Sequence, residues 1–315
     1  MGEVMGKYFR KKSVYIILIF LIVFIFSGCN SQEREYKEIK LSDQTDTTYT
    51  QESIEDKITI AINVGLSPLK SLNIYEEFIT LLEDRMEEEI DLVQKKSSAE
   101  IISLMKDGKV DIAFIDSGGY LRAREENAGQ LLVIPVINGE QMHQSHILIN
   151  KDDSITDFSH LKGKKIAFTD PWSIEGTVYP MALIKDLGET PETFFSNYFY
   201  SFCYDKAISA LLSKTVDAVS IDGNILDLLI KREIINKGYF KIINSSNKLP
   251  NAPIIVRNDL AQETKDNLKQ VFTNLGTESE EKKVMSNMNI DRFVIVEESL
   301  FEPIQSMNEK VFNYD

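Results

Sequence analysis

One unit of the sequence occurs twice, and this repeat limits the possible folds more than any other feature. In the first copy, residues 99–106 have helical spacing of their apolar side chains and lead into residues 108–116, GKVDIAFID. In the second copy, residues 206–213 lead in the same way into residues 214–222, KTVDAVSID. Each copy has the pattern of a helix, a turn and a short buried strand closed by an aspartate. The repeat therefore predicts two related lobes.

Short β-branched runs alternate with helical segments from residue 58 onward, which is the pattern of an α/β sheet protein. The predicted strands are residues 58–63, 90–93, 111–115, 131–136, 147–149, 165–168, 218–221 and 254–256. The predicted helices include residues 75–88, 99–106, 206–213 and 300–312, the last of which we expect to pack on the first lobe. We predict an α/β fold of two lobes, each a mixed sheet flanked by helices.

The N-terminal segment, residues 1–28, has the features of a secretory signal. Basic residues precede an apolar run over residues 14–26, which is shorter than the roughly 20 residues that a membrane-spanning helix needs. The following Phe-Ser-Gly-Cys resembles the lipobox of bacterial lipoproteins, which implies cleavage before Cys29 and lipidation of its thiol. Phe26 replaces the usual leucine, so an uncleaved anchor stays open as an alternative. Both alternatives place the remaining chain outside the cytoplasm.

Residues 29–56 are polar and lack an apolar period, which predicts a flexible tether. The net charge of −14 argues against nucleic acid as a partner. If Cys29 carries lipid, Cys203 has no partner for a disulfide bond, because the chain has two cysteines. We therefore expect Cys203 to be a buried thiol in a core that is stabilised by burial alone.

Several motifs of the chain share one resemblance. Residues 161–176 have the sequence LKGKKIAFTDPWSIEG, and residues 253–260 have PIIVRNDL. VDIAF at residues 110–114 precedes Tyr120, and VDA at residues 216–218 precedes Asp222. This set, in this order, resembles the PhnD-type substrate-binding proteins of phosphate, phosphite and phosphonate importers, over roughly residues 58–268.

The resemblance implies a type II periplasmic-binding fold, in which two lobes close over a ligand. Crossing segments are expected near residues 142–146 and 251–254. Lobe 1 would comprise residues 57–143 and 253–315, and lobe 2 residues 144–252. The implied function is that of a solute-binding lipoprotein of an ABC importer, a monomer anchored to the cell membrane by lipid. Its partners would be a small-molecule ligand and a membrane permease, without a cofactor.

The resemblance also implies an anion site where a strand ends and a helix begins. In the family, a strand ends at Asp-Pro, and a Ser-Thr-Ser-Gly run opens the next helix, so that hydroxyls and free N–H groups hold an anion. The matching residues here are Ser173, Ile174, Glu175 and Gly176, with Thr177 next. Ser173 keeps its hydroxyl, but the carboxylate of Glu175 replaces the second serine.

Other departures add negative charge to the implied site. The family's Gly-Pro before Tyr120 is Asp-Ser here, and a histidine that reaches the ligand in the family matches Tyr204. Asp222 keeps the acid that meets the amine in aminophosphonate binders. Two unit charges 4 Å apart interact by about 4 kcal/mol at an effective dielectric of 20. An anion near Asp116, Glu175 and Asp222 would therefore be strongly opposed.

Three interpretations accommodate these acids. Glu175 can point outward as a first-turn acid that favours the helix dipole. The ligand can be a zwitterion, with an amine near the acids and a phosphonate-like or phosphate-like group at the backbone N–H groups. It can also be a cation held by the rings of Trp172, Tyr120, Tyr179 and Tyr204, worth about 0.5 to 2 kcal/mol each. Each aromatic also fits an ordinary packing role.

Signals for metal binding or catalysis are weak. His143 and His146 stand where a strand begins and would point to opposite faces, which makes a poor metal pair, so we expect no metal. No Gly-x-Ser-x-Gly elbow, Walker loop or Cys-His pair of nucleophilic spacing occurs in the sequence. Binding is therefore favoured over catalysis. A sensory lipoprotein that signals to a membrane partner, or an enzyme on the same fold, remains an alternative.

Overall fold

The computed structural model describes residues 57–63 and 65–312. The strands among these residues form two larger sheets and one two-stranded sheet. The predicted signal segment and all of the predicted tether, Cys29 included, lie outside the described residues. Within the described part of the chain, no helix is long and apolar enough to cross a membrane.

The first sheet has six strands: β1 (Ile58–Ile62), β2 (Ile90–Gln94), β3 (Ile112–Phe114), β4 (Gly129–Val136), β12 (Ile254–Arg257) and β13 (Arg292–Val294). Their spatial order is β13-β4-β12-β3-β1-β2. β1 runs parallel to β2 and β3, whereas β12 and β13 pair in antiparallel fashion with their neighbours. The sheet is therefore mixed, as predicted.

Five helices accompany the first sheet: α1 (Pro68–Met86), α2 (Ser98–Lys106), α3 (Ser117–Glu125), α8 (Gln262–Asn274) and α9 (Ser279–Asn287). Aromatic rings join two of these helices to the sheet. Phe78 of α1 and Phe272 of α8 both contact Phe114 and Phe293, with ring centroids 5.3 to 6.3 Å apart. This contact holds strands from both ends of the sequence in one core.

The second sheet has five strands: β6 (Ser145–Asn150), β7 (Lys165–Phe168), β8 (Asn197–Tyr200), β9 (Ala218–Asp222) and β10 (Phe240–Ser245). Their order is β10-β6-β9-β7-β8, with β7 parallel to β8 and β9. Its helices are α4 (Tyr179–Asp186), α5 (Pro191–Phe194), α6 (Tyr204–Leu212) and α7 (Gly223–Lys231). The sequence analysis did not predict β8, β10 or β13.

A short two-stranded sheet lies where the chain passes between the two larger sheets. The chain leaves β4 at Val136 and enters β6 at Ser145, and it returns between Ser245 and Ile254. Between these points, β5 (Met142–His143) pairs with β11 (Leu249–Pro250). Both passages overlap the predicted crossing segments between the lobes. The predicted boundaries of the lobes stay a prediction.

The sequence repeat has a structural counterpart in the two sheets. Asp111 Oδ2 accepts the Thr59 N–H at 2.8 Å, and Asp217 Oδ2 accepts the Lys165 N–H at 2.8 Å. The aspartates that close the two copies, Asp116 and Asp222, each cap the helix that follows. Each copy therefore has one acid that joins neighbouring strands and one that begins a helix.

The last helix, α10 (Glu302–Phe312), packs more widely than predicted. It contacts α3 beside the first sheet, but also α4 beside the second. Lys310 forms an ion pair with Asp186 of α4. The expectation that this helix packs on the first lobe is therefore incomplete, because its buried side lies against helices of both halves.

Candidate ligand-binding site

A cavity of about 100 Å³ lies between the two larger sheets. Roughly 10 to 15 Å³ is enough for one water molecule, so the cavity has room for a small solute. Its polar lining comes from the ends of strands and the starts of helices, the usual ligand position in open α/β sheets. This lining includes Asn63, Asp116, Thr169, Asp170, Ser173, Glu175, Tyr204, Asp222 and Asn224.

Glu175 faces this cavity and does not point outward. It lies in a π-helical turn, Ile174–Val178, that begins after Ser173, and it is only 2% exposed. Its Oε1 is 3.2 Å from His143 Nε2. The outward-facing interpretation of this acid is therefore wrong in the structure.

Hydroxyl groups fix the backbone of the π-helical turn. Ser145 Oγ donates to the main-chain carbonyl of Glu175 at 2.8 Å, and Ser220 Oγ donates to the same carbonyl. Ser173 Oγ accepts the Gly176 N–H at 3.1 Å and lies 3.0 Å from the Tyr204 hydroxyl. Because π-helical turns often occur at functional sites, this constrained turn is consistent with a binding role.

His143 belongs to the site although the sequence analysis did not place it there. Its Nε2 is also 3.4 Å from Asp222 Oδ2, and its side chain is buried. Burial lowers the pKa of His143, but the charges of Asp222 and Glu175 outweigh it and raise the value to about 9. As predicted, His146 does not join it: it is partly exposed, and its Nδ1 pairs with Ser245 Oγ at 2.8 Å.

Two further carboxyl groups face the cavity from opposite halves of the protein. Ser98 links them, since its N–H donates to Asp170 Oδ2 at 3.2 Å and its hydroxyl donates to Asp116 Oδ2. Burial raises the pKa of Asp116. Burial, together with the charge of Asp116, raises the pKa of Asp170 to about 7. Four of the described residues that line the cavity carry carboxyl groups: Asp116, Asp170, Glu175 and Asp222. None of the described lining residues is a lysine, arginine or histidine.

Half of the predicted site residues line the cavity: Asp116, Ser173, Glu175, Tyr204 and Asp222. Tyr120 is fully buried instead, against Phe301, with ring centroids 4.8 Å apart. The indole ring of Trp172 packs under Arg122, whose guanidinium lies 5.6 Å from the ring centroid. These positions are consistent with packing roles for both aromatics.

Four other residues named in the sequence analysis are not part of the cavity lining. Ile174 is fully buried in an apolar core. A Cβ on Gly176 would come within 1.8 Å of Thr169 Oγ1, so only glycine fits there. Thr177 donates its hydroxyl to the Asp170 carbonyl at 2.8 Å. Tyr179 donates its hydroxyl to Asn244.

Thr169 and Cys203 complete the description of the site. Thr169 lines the cavity and is 2% exposed, and its hydroxyl has no hydrogen-bond partner among the described residues. The sequence analysis did not single it out. Cys203 is a buried free thiol at the start of α6, as expected.

Contacts beside the cavity hold the two halves together. Asp205, at the start of α6, accepts hydrogen bonds from the Ser67 N–H and hydroxyl, at 2.9 and 2.8 Å, and from Lys70 Nζ at 2.7 Å. The Tyr204 N–H donates to the Gly65 carbonyl at 2.6 Å. A Cβ on Gly65 would lie 2.6 Å from the Tyr204 ring. Direct contacts between the halves therefore border the cavity on this side.

Comparisons with known proteins agree on the family. The sequence profile of the family described as "ABC transporter, phosphonate, periplasmic substrate-binding protein" matches residues 60–301. The chain is 26% identical over 246 residues to the phosphate-import protein PhnD of Mycolicibacterium smegmatis, covering 73% of this chain and 75% of that protein. It is 25% identical over 256 residues to the phosphonates-binding periplasmic protein of Escherichia coli, covering 78% and 75%.

Solved structures show the same fold. A binding-protein component of an ABC phosphonate transporter from Pseudomonas aeruginosa superposes with a TM-score of 0.74 at 23% identity, covering 80% of this chain and 85% of that one. PhnD1 of Prochlorococcus marinus, solved with methylphosphonate, gives a TM-score of 0.71 at 16% identity, covering 80% and 97%. The predicted two-lobed α/β fold is thus confirmed. The chain belongs to the family of periplasmic substrate-binding proteins of phosphonate ABC transporters.

Proposed function

We propose that the chain captures a small phosphonate-like solute in the cavity between its sheets and releases it when the two halves separate. The observation that supports this most strongly is the composition of the cavity. Buried polar side chains from both halves converge on one cavity, as in a solute site that closes by hinge motion. Opening around the two chain passages would break the contacts of Asp205 and expose the cavity.

The charge of the lining supports a solute that carries an amine as well as an anionic group. Carboxylates in the lining oppose a bare phosphate dianion, whereas a protonated amine beside them would be favourable. The anionic group would lie at the start of the π-helical turn, where the first N–H groups of a helical segment have no intrahelical acceptor. A solute with both groups would fit the phosphonate ligands of the family and also the acidic residues of this cavity.

Titration calorimetry with phosphate, methylphosphonate and 2-aminoethylphosphonate tests the proposal. We expect 2-aminoethylphosphonate to bind most tightly, and phosphate most weakly. Native mass spectrometry of the purified protein would identify any solute that co-purifies. Binding of none of the three compounds, with no co-purified solute, would contradict the proposal.

We also propose that the protein acts as a monomer held to the membrane by lipid on Cys29, that it passes its solute to a permease, and that it does not transform it. The N-terminal sequence supports the anchor, and the family supports the transport role. Radiolabelled palmitate should enter the wild type but not a Cys29→Ser variant. Recovery of the bound solute unchanged after incubation would support binding without turnover, and a new product would contradict it.

A further inference from the structure

Three buried side chains from different parts of the chain bring one possible ligand atom each close together. His143 comes from β5, Glu175 from the π-helical turn, and Asp222 from the end of β9. One nitrogen or oxygen of each lies within 4.8 Å of those of the other two. Imidazole and carboxylate groups are common ligands of divalent transition ions.

The distances in this triad match the edges of a metal coordination shell. Zinc bonds to nitrogen and oxygen of about 2.0 to 2.2 Å place neighbouring ligand atoms of a tetrahedron about 3.3 to 3.6 Å apart. His143 Nε2 is 3.2 Å from Glu175 Oε1 and 3.4 Å from Asp222 Oδ2. Two of the three ligand–ligand distances therefore need almost no adjustment.

Hydrogen bonds already hold the side chain of one ligand and the backbone of a second. Asp222 Oδ1 accepts the N–H groups of Asn224 and Ile225, at 2.7 and 3.2 Å, which leaves Oδ2 directed to His143. The main-chain carbonyl of Glu175 is held by the hydroxyls of Ser145 and Ser220. Outer contacts of this kind fix the geometry of metal sites and strengthen binding.

The surroundings of the triad hold more carboxyl groups than the one imidazole of His143 can neutralise. Glu175 and Asp222 line the cavity together with Asp116 and Asp170, and no lysine, arginine or histidine is among the described lining residues. A divalent ion would neutralise two of these carboxylates and offer a coordination position to an oxygen of an anionic solute. The unpartnered Thr169 hydroxyl, which is buried in the same lining, remains free to donate to an oxygen of that solute.

We propose that His143, Glu175 and Asp222 bind a divalent first-row transition ion, with Zn²⁺ as the reference case, and that its open coordination position takes an oxygen of the phosphonate group. The solute part of this inference rests on the proposed function, whereas the metal part does not. The ion would allow a phosphonate to bind in a cavity whose polar lining includes four carboxyl groups.

The metal site is tested first with the metal alone. Full-length protein in detergent is stripped with a chelator, dialysed, and titrated with ZnCl₂ in a calorimeter, with MgCl₂ as the comparison ion. We expect one Zn²⁺ per chain. His143→Gln and Glu175→Gln should each weaken Zn²⁺ binding by more than about 100-fold, because loss of an outer contact alone costs about 10- to 100-fold.

Two matched variants separate ligand loss from general effects. His146→Gln changes the neighbouring histidine, and Glu140→Gln removes an exposed acid that pairs with Lys248. Both should bind Zn²⁺ within about threefold of wild type, since neither is a ligand. Thermal melting of each variant shows whether it is folded. If His143→Gln does not fold, the nearly isosteric Glu175→Gln variant still tests the metal site. A wild type without saturable Zn²⁺ binding, or folded variants that bind as tightly as wild type, would overturn the site.

The solute is tested by titrating methylphosphonate into protein with and without Zn²⁺. Tighter binding with Zn²⁺, by about tenfold or more, supports the bridging role. Equal affinity in both conditions overturns the bridging role but leaves the proposed function intact. If none of the phosphonates binds in either condition, the proposed function fails, and the Zn²⁺ titration alone decides the metal site.

Discussion

Gly118 and Trp172 touch across the boundary between the two halves of the protein. Gly118 lies at the start of α3, beside the first sheet, while Trp172 follows β7 of the second sheet. A Cβ on Gly118 would come within 1.8 Å of the Trp172 carbonyl oxygen. Glycine is therefore required at this position by the contact between the two halves, and not by the fold of either half alone.

We expect Gly118→Ala to keep the halves apart without unfolding the protein. Alanine favours the helix by up to about 1 kcal/mol, so the melting temperature should not fall. Solute affinity should drop about tenfold or more, and X-ray scattering should report a larger radius of gyration. Gly238→Ala is the control, because Gly238 is exposed, and an added Cβ there meets only the Asn236 side chain, at 3.0 Å. A Gly118→Ala variant with wild-type affinity would show that the halves need not approach so closely.

Glu175→Gln tests whether the carboxylate opposes an anionic solute. In chelator-treated protein, the substitution should raise the affinity for methylphosphonate about tenfold or more, since it removes a buried negative charge from the cavity lining. Calorimetry with phosphate should show the same direction. Glu140→Gln, which changes an exposed acid, should have no effect. Unchanged affinity in Glu175→Gln would place the solute's anionic group away from this turn.

Tyr204 and Tyr120 should respond differently to loss of their hydroxyls. The Tyr204 hydroxyl lies in the cavity lining beside Ser173, whereas Tyr120 is buried against Phe301. Tyr204→Phe should weaken solute binding by about 2- to 10-fold, the usual worth of one hydrogen bond. Tyr120→Phe should leave affinity unchanged. Equal losses in both variants would contradict the assignment of Tyr120 to packing.

The sequence predicted well those parts of the fold that repeat or that depend on local pattern. The two helix-turn-strand copies, and the strands that follow Asp111 and Asp217, have buried β-branched runs that need no knowledge of the rest of the chain. The strands that were missed lie at sheet edges, where one side is exposed and alternation of apolar residues is weak. β13 pairs with β4 and β10 pairs with β6, and these pairings depend on distant segments.

The site was predicted in part for a similar reason. Motif positions located Asp116, Glu175 and Asp222, because each stands where a strand ends or a helix begins. A motif gives no side-chain direction, so Tyr120 was assigned to the site although α3 turns it toward Phe301. His143 was missed because it reaches Glu175 only after the chain has crossed between the sheets.

The last prediction concerns Asp170 and the pH dependence of stability. In an unfolded chain this carboxyl group loses its proton near pH 3.8, but in the folded protein burial and the charge of Asp116 raise its pKa to about 7. The folded state therefore holds a proton that the unfolded state releases between these values. This stabilisation is fully present below about pH 4 and is lost as the pH rises to about 7, by up to about 1.4 kcal/mol per pH unit for one proton. Urea unfolding between pH 4.5 and 8 should show this decline in wild type and a flatter profile in Asp170→Asn, which cannot ionise. Identical profiles would mean that Asp170 is ionised in the folded protein, and that the carboxyl groups around the cavity repel less than their burial indicates.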